Sequence, residues 1–134
     1  MSPSQPRPEF FVDRSLGRRR VAEALRRAGW SICTHHEVFG DRDEEVEDVE
    51  WLEYCGREGL PVLTKDRRLR YRPEEIGAIR RHRVRAFVLT RGSLRAAEQA
   101  ARFEANREDI AVACMESGPL VYAVHRDRIV RSFP

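Results

Sequence analysis

The sequence predicts an α/β fold: a mostly parallel central sheet covered on both faces by helices, with a C-terminal hairpin. Three observations predict it. Short apolar runs alternate with helix-periodic segments four times, which implies right-handed crossovers between parallel strands. The first run, Phe10-Phe11-Val12, is continuously apolar, as a buried strand requires. Near the end, two strand-like runs flank Arg126-Asp127-Arg128 and read as a hairpin that adds antiparallel strands at one edge. The length of 134 residues suits one ordinary domain.

Residues 1–8 hold three prolines and are expected to be a flexible arm, with a single domain over residues 9–134. Phe10 to Val12 is the first strand, ending at Asp13. Ser15-Leu16-Gly17 turns the chain. Val21, Ala22, Leu25 and Ala28 fall at helical spacing, and Gly29 fits the position just past that helix. Trp30 to Thr34 reads as the second strand, with His35-His36 at its end. Eight of the thirteen residues from Asp41 to Glu53 are acidic, so Asp41, Asp43, Glu44, Glu45 and Glu47 are expected in a solvated loop. Asp48 is placed to cap a helix whose inner face carries Trp51, Leu52 and Cys55, and Gly59 stops it. Leu60 to Thr64 is the third strand. Pro73-Glu74-Glu75 opens a helix, with proline in the first turn and acids near the positive end of the dipole. Val84 to Thr90 is the fourth strand, followed by helices over residues 94–105 and 108–116. Ser117-Gly118-Pro119 breaks the last helix before the hairpin strands, Leu120 to His125 and Ile129 to Phe133.

Composition excludes several classes. No apolar run approaches the ~20 residues needed to cross a bilayer. Met1 to Glu9 lacks the apolar core of a secretory signal. Cys33, Cys55 and Cys114 are an odd, widely spaced set without a C-x-x-C, which reads as reduced thiols in a cytoplasmic protein. There is no phosphate-cradling glycine loop, and Ser15 lacks the flanking glycines of a nucleophile elbow. The net charge is only +3, but 24 of the 25 basic residues are Arg, with Lys65 the exception. A coding bias explains such a split; Arg is also the better fork for phosphate.

In open α/β sheets, ligands bind beyond the carboxyl ends of the strands. Asp13 directly follows the first strand, and Asp66 follows the third by one residue. Asp48 stands at the expected start of the helix after the second strand, with Glu50 two residues on. Clustered carboxylates repel unless a cation lies between them, and their hard oxygens suit Mg²⁺ or Mn²⁺. A metal so held can orient a water and neutralise a phosphodiester. Each acid also has a structural role open to it: Asp13 and Asp48 as helix caps, Glu50 as an exposed helix residue. Ten Arg against three acids lie between Asp66 and Arg95, a local charge of about +7. Arg67, Arg68, Arg70 and Arg72, with Arg14 and Lys65, are the candidate phosphate contacts, and Tyr71 among them offers a face for a base.

Phe10 to Gly17 (FFVDRSLG), Asp48 to Leu52 (DVEWL) and Val62 to Pro73 (VLTKDRRLRYRP) resemble the PIN-like ribonucleases. The similarity is to the short VapC-like toxins of toxin–antitoxin modules, and it extends over about residues 9 to 133. The resemblance implies an α/β/α sandwich, an acidic site for Mg²⁺ or Mn²⁺, and endonucleolytic cleavage of RNA phosphodiesters in the cytoplasm. It implies Asp13, Asp48 and Asp66 as catalytic, metal-binding acids, with Glu50 competing for the role of Asp48. It further implies a cognate antitoxin, and homodimers are common in the family. The chain departs from the commoner pattern after the fourth strand. There Thr90-Arg91-Gly92-Ser93 stands where another acid is usual.

Two other activities fit less well. A phosphoacceptor receiver domain would use Asp13, Asp66 and Thr90, but it needs a later Lys and the chain has none beyond Lys65. A haloacid-type phosphatase needs an acid at position 15, where Ser15 stands. The remaining alternative is a non-catalytic RNA- or partner-binding module on a PIN-like fold.

Overall fold

Four crossovers feed one six-stranded sheet, and their order decides where acids can meet. The computed structural model describes residues 8–133. The expected arm, Pro8 excepted, lies outside the described residues. The strands are β1 (Glu9–Val12), β2 (Ser31–Thr34), β3 (Val62–Thr64), β4 (Arg85–Leu89), β5 (Leu120–Val124) and β6 (Ile129–Phe133). They lie in the order β2-β1-β3-β4-β5-β6. Every neighbouring pair is parallel except β5 with β6. The expected C-terminal hairpin is present: β5 joins the parallel sheet, because a full helical crossover precedes it, and β6 runs back against it at the edge.

The helices are α1 (Arg20–Arg27), α2 (His35–Phe39), α3 (Asp48–Glu58), α4 (Pro73–His82), α5 (Ala96–Ala105) and α6 (Arg107–Ala113). Strand residues alternate between two cores. Phe10, Val12, Leu63 and Phe87 pack with Leu25, Phe103 and Ile110 on one face. Phe11, Val62, Ala86 and Val88 pack with Trp51, Leu52 and Ile79 on the other. This is the three-layer α/β/α arrangement, and the continuous apolar strands are the sequence trace of burial on both faces. Gly59 ends α3 in the left-handed region, at φ 68°, which favours glycine.

Helix α2 replaces the expected strand end at His35-His36. Thr34 caps it: its hydroxyl accepts from the Glu37 N–H at 3.0 Å, and the Glu37 carboxylate accepts from the Thr34 N–H at 2.8 Å. That reciprocal pair is legible as T-x-x-E in the sequence. Thr34→Ala is expected to lower stability by about 1 kcal/mol, read as a lower urea midpoint with an unchanged slope.

The acidic loop is not uniformly solvated. Asp43 is buried. It takes the Arg18 guanidinium at 3.1 Å and His36 Nδ1 at 3.0 Å, while Arg14 donates to its carbonyl at 2.6 Å. Burial of Asp43 is tolerated because the Arg18 guanidinium pairs with its carboxylate and Arg14 satisfies its carbonyl. The three cysteines are free thiols, and burial pushes the Cys114 thiol up to about 11. Among the described residues, no helix is long and apolar enough to cross a membrane.

Candidate functional site

Strands β1 and β3 are neighbours at the point where the chain order reverses, with β2 on one side and β4 on the other. That is the switch point at which α/β sheets open a crevice. Asp13 leaves the end of β1 and Asp66 follows β3, so adjacent strands deliver two acids to one edge. The Asp13 N–H donates to the Leu63 carbonyl at 3.2 Å, fixing the two strand ends together.

Asp13 is only 3% exposed, and hydroxyl and backbone groups hold it. Its Oδ1 accepts from the Ser15 N–H at 2.9 Å and from the Ser15 hydroxyl. Its Oδ2 accepts from the Thr64 hydroxyl at 2.8 Å. No ion pair reaches it among the described residues. Burial therefore pushes its carboxyl up to about 6, with the Asp66 charge adding to the rise and the hydrogen bonds moderating it. The two hydroxyls belong to a shared network. Ser15 Oγ also accepts from the Lys65 N–H at 3.1 Å, and Thr64 Oγ1 from the Asp66 N–H at 2.9 Å. Ser15 and Thr64 thus position both acids. From sequence Ser15 reads as a turn residue and Thr64 as a strand residue; the D-x-S and T-x-D spacings are the signal of their role.

Asp66 caps the single helical turn Arg67–Arg70. Burial raises its carboxyl, but the hydrogen bonds and charge of Arg68 outweigh burial and lower it overall. Arg68 donates to Asp66 in a fork, Nε to Oδ1 at 2.8 Å and a terminal nitrogen to Oδ2 at 2.7 Å. The same guanidinium stands 3.7 Å from Asp48 Oδ2. Asp48 is the first residue of α3 rather than its cap, which is Glu47. Its Oδ1 accepts from the Trp51 indole N–H at 2.9 Å. That contact orients Asp48 towards the sheet while Trp51 fills the core.

Asp13, Asp48, Asp66, Arg14, Ser15, Trp51 and Arg68 line one cleft of about 200 Å³. Of the four predicted acids, Glu50 is not among its walls. It is exposed, with its carboxylate 3.3 Å from Arg42. One turn of helix separates inner from outer faces, and Glu50 falls outside. The end of β4 supplies no acid either; the Thr90 hydroxyl donates to the Val124 carbonyl at 3.3 Å.

The basic candidates divide. Arg68 turns inward to the acids. Arg14 lines the cleft while donating to the Asp43 carbonyl. Arg72 stands 3.7 Å from Glu75, and Arg70 donates to the Ser132 hydroxyl at 3.2 Å. The Lys65 ammonium reaches the Gly92 carbonyl at 3.4 Å rather than an acid. Arg67 is exposed, and Tyr71 beside it is 66% exposed.

The donor set fits a hard divalent cation. It is all carboxylate oxygen, and the buried Asp13 lacks a cationic partner among the described residues. Among the described residues, however, no three His, Cys, Asp or Glu side chains already stand close enough together to enclose an ion. Arg68 takes up part of the space between Asp48 and Asp66 and supplies the positive charge there.

Comparison with known proteins places the chain in a family. The family model described as "PIN like domain" matches residues 8–91. "Putative ribonuclease VapC45" of Mycobacterium tuberculosis is 34% identical over 123 residues, covering 91% of this chain and 89% of that protein. No solved structure matches the chain significantly. With the family model spanning more than half of the chain and a relative aligned along nearly all of it, the chain belongs to the PIN-like domain family.

Proposed function

We propose that the protein is a metal-dependent endoribonuclease, the toxin of a cytoplasmic toxin–antitoxin pair, acting through Asp13, Asp48 and Asp66. One observation carries the reading. Three acids from the end of β1, the start of α3 and the end of β3 face one cleft, and the most buried of them has no counter-charge among the described residues. The similarity to a protein named as a ribonuclease supports it. Residues 9–134 work as one unit, with RNA as substrate and an antitoxin as the expected protein partner; homodimers fit the same family pattern.

Bound Mg²⁺ or Mn²⁺ would supply charge neutralisation at a phosphodiester and a more acidic water. The chain's own groups do the rest. Ser15 and Thr64 hold Asp13 in one rotamer, so no reorientation precedes reaction. A water oxygen adds to phosphorus, its proton passes to a carboxylate, the bridging P–O bond breaks, and the departing ribose oxygen takes a proton from solvent to leave as a hydroxyl. Arg67, Arg72 and Arg14 line the approach for backbone phosphates, and Tyr71 offers a stacking face. Asp48 and Asp66 would hold the cation only with Arg68 turned away from them, which would free its fork for phosphate.

One contact favours the alternative, a binding module without catalysis. The Arg68 fork already neutralises Asp66, and a permanent plug needs no metal. The two readings separate in one assay. Purified protein is expected to cleave structured RNAs, tRNA included, with Mg²⁺ or Mn²⁺, and to stop in chelator. Asp66→Asn is expected to lose cleavage while keeping RNA affinity within about threefold, because phosphate contacts dominate affinity. Cleavage unchanged in chelator or in the variant would remove the proposed site.

A further inference from the structure

Beyond Arg68 lies another carboxylate that the proposed function leaves unused. Helices α3 and α4 pack side by side, and their first turns open on a pocket of about 420 Å³. Asp48 enters it from α3 and Glu75 from α4. Six carboxylate residues and three arginines line this pocket. An acid-rich wall alone would be an ordinary surface, but Glu75 is unlike its neighbours. It is 4% exposed, and its Oε2 has no hydrogen-bond partner. Its other oxygen stands 3.7 Å from the largely exposed Arg72, and its carboxyl lies within hydrogen-bond reach of that of Asp48. A buried carboxylate oxygen without a donor is unfavourable unless a ligand satisfies it. Asp48 is its neighbour: Oδ1 accepts from Trp51, Oδ2 stands 3.7 Å from Arg68, and its carboxyl faces that of Glu75. Two carboxyl groups from separate helices thus stand side by side, one with a buried oxygen that lacks a donor among the described residues, and the Arg68 guanidinium acts on both.

We propose that Glu75 is a further acid of the site, whose free oxygen joins Asp48 in holding a divalent cation when Arg68 turns outward. Glu75 thereby widens the site from the strand ends onto α4. Its ligand is a hard cation of the Mg²⁺ and Mn²⁺ class, since both donors are carboxylate oxygens. This inference rests on the metal-site reading above.

The test is calorimetric titration of Mn²⁺ into the full chain, which needs no activity. Wild type, Asp13→Asn, Glu75→Gln and the exposed control Glu53→Gln are compared, each checked for native circular dichroism. Glu75→Gln is expected to weaken Mn²⁺ binding about tenfold or more, and Glu53→Gln less than about twofold. Equal affinity in Glu75→Gln and Glu53→Gln would overturn the role of Glu75 while leaving the Asp13 site standing. Loss on Glu75→Gln with no change on Asp13→Asn would keep the role and overturn the Asp13 site. No Mn²⁺ binding by wild type would overturn both. If Glu75→Gln does not fold, carboxyl-carbon NMR of wild type decides. The Glu75 and Asp48 side-chain carbons are expected to shift together on Mg²⁺ addition, and a static Glu75 signal at saturation would overturn the proposal.

Discussion

Asp13→Asn is expected to cut RNA cleavage by orders of magnitude and, in chelator at pH 8, to make the protein more stable. The two effects share one cause. Asp13 is a buried carboxylate whose partners are neutral hydroxyls and a backbone N–H. In the unfolded chain its carboxyl titrates near 3.8, and in the folded protein burial raises it to about 6. Between those values the folded state holds a proton that the unfolded state has released. Stability attributable to this group is therefore fully present below about pH 4 and falls as pH rises through about 6. The difference of roughly two units corresponds to about 3 kcal/mol of destabilisation at neutral pH. Asn removes the charge and keeps one acceptor oxygen for Ser15, at the cost of a poorer match to the second hydroxyl. A net gain of on the order of 1–2 kcal/mol is expected, read as a Tm several degrees higher at pH 8 and little changed at pH 4. Cleavage should fall by on the order of 10²–10⁴, the usual worth of a positioned proton acceptor. A variant both inactive and less stable at pH 8 would mean that Asp13 serves the fold.

Gly56→Ala is expected to destabilise the protein by at least about 2 kcal/mol, through the helix pair that brings Asp48 and Glu75 together. Gly56 lies inside α3, where alanine would ordinarily gain about 1 kcal/mol in helix propensity. Here a Cβ would stand 2.2 Å from the His82 carbonyl oxygen and 2.6 Å from the His82 Cβ. Backbone cannot yield as a flexible side-chain tip can, so α3 and α4 must separate. Overpacking of that kind costs typically 1–3 kcal/mol, and more when main chain blocks relaxation. The expected readout is a Tm lower by about 5–10 °C. Residual folded Gly56→Ala should also bind Mn²⁺ more weakly, because the helix starts no longer converge. A thermal midpoint equal to wild type would show that the helices slide apart without penalty.

Much of this architecture was legible because burial on two faces leaves apolar runs with no alternation, and because helix ends carry local chemistry. Phe10 to Val12, the Gly59 stop and the Pro73 start needed no tertiary information. Helix α2 was also written locally, in Thr34 and Glu37, but two histidines after a strand masked it. The direction of β5 was not written locally. A hairpin turn fixes how β6 meets β5 and leaves the pairing of β5 with β4 to the packing of α5 and α6 beneath the sheet.

The site divides along the same line. Asp13 and Asp66 were readable as site candidates because a strand end is a local feature and the strand order of such sheets favours its use. By itself the sequence determined the strand and helix segments, the acids at the ends of β1 and β3, and the basic run that follows. Only the tertiary structure decided which charges meet. It turned Arg68 inward while leaving Arg67 outside, buried Asp43 among Arg14, Arg18 and His36, and sent Glu50 to the outer face of α3. It also set Glu75 of α4 against the pocket of Asp48 with one oxygen unsatisfied. The physical reason is range. Backbone hydrogen bonds and apolar periodicity act over a few residues, whereas the state of a carboxylate depends on burial and on charges delivered by elements far away in the chain.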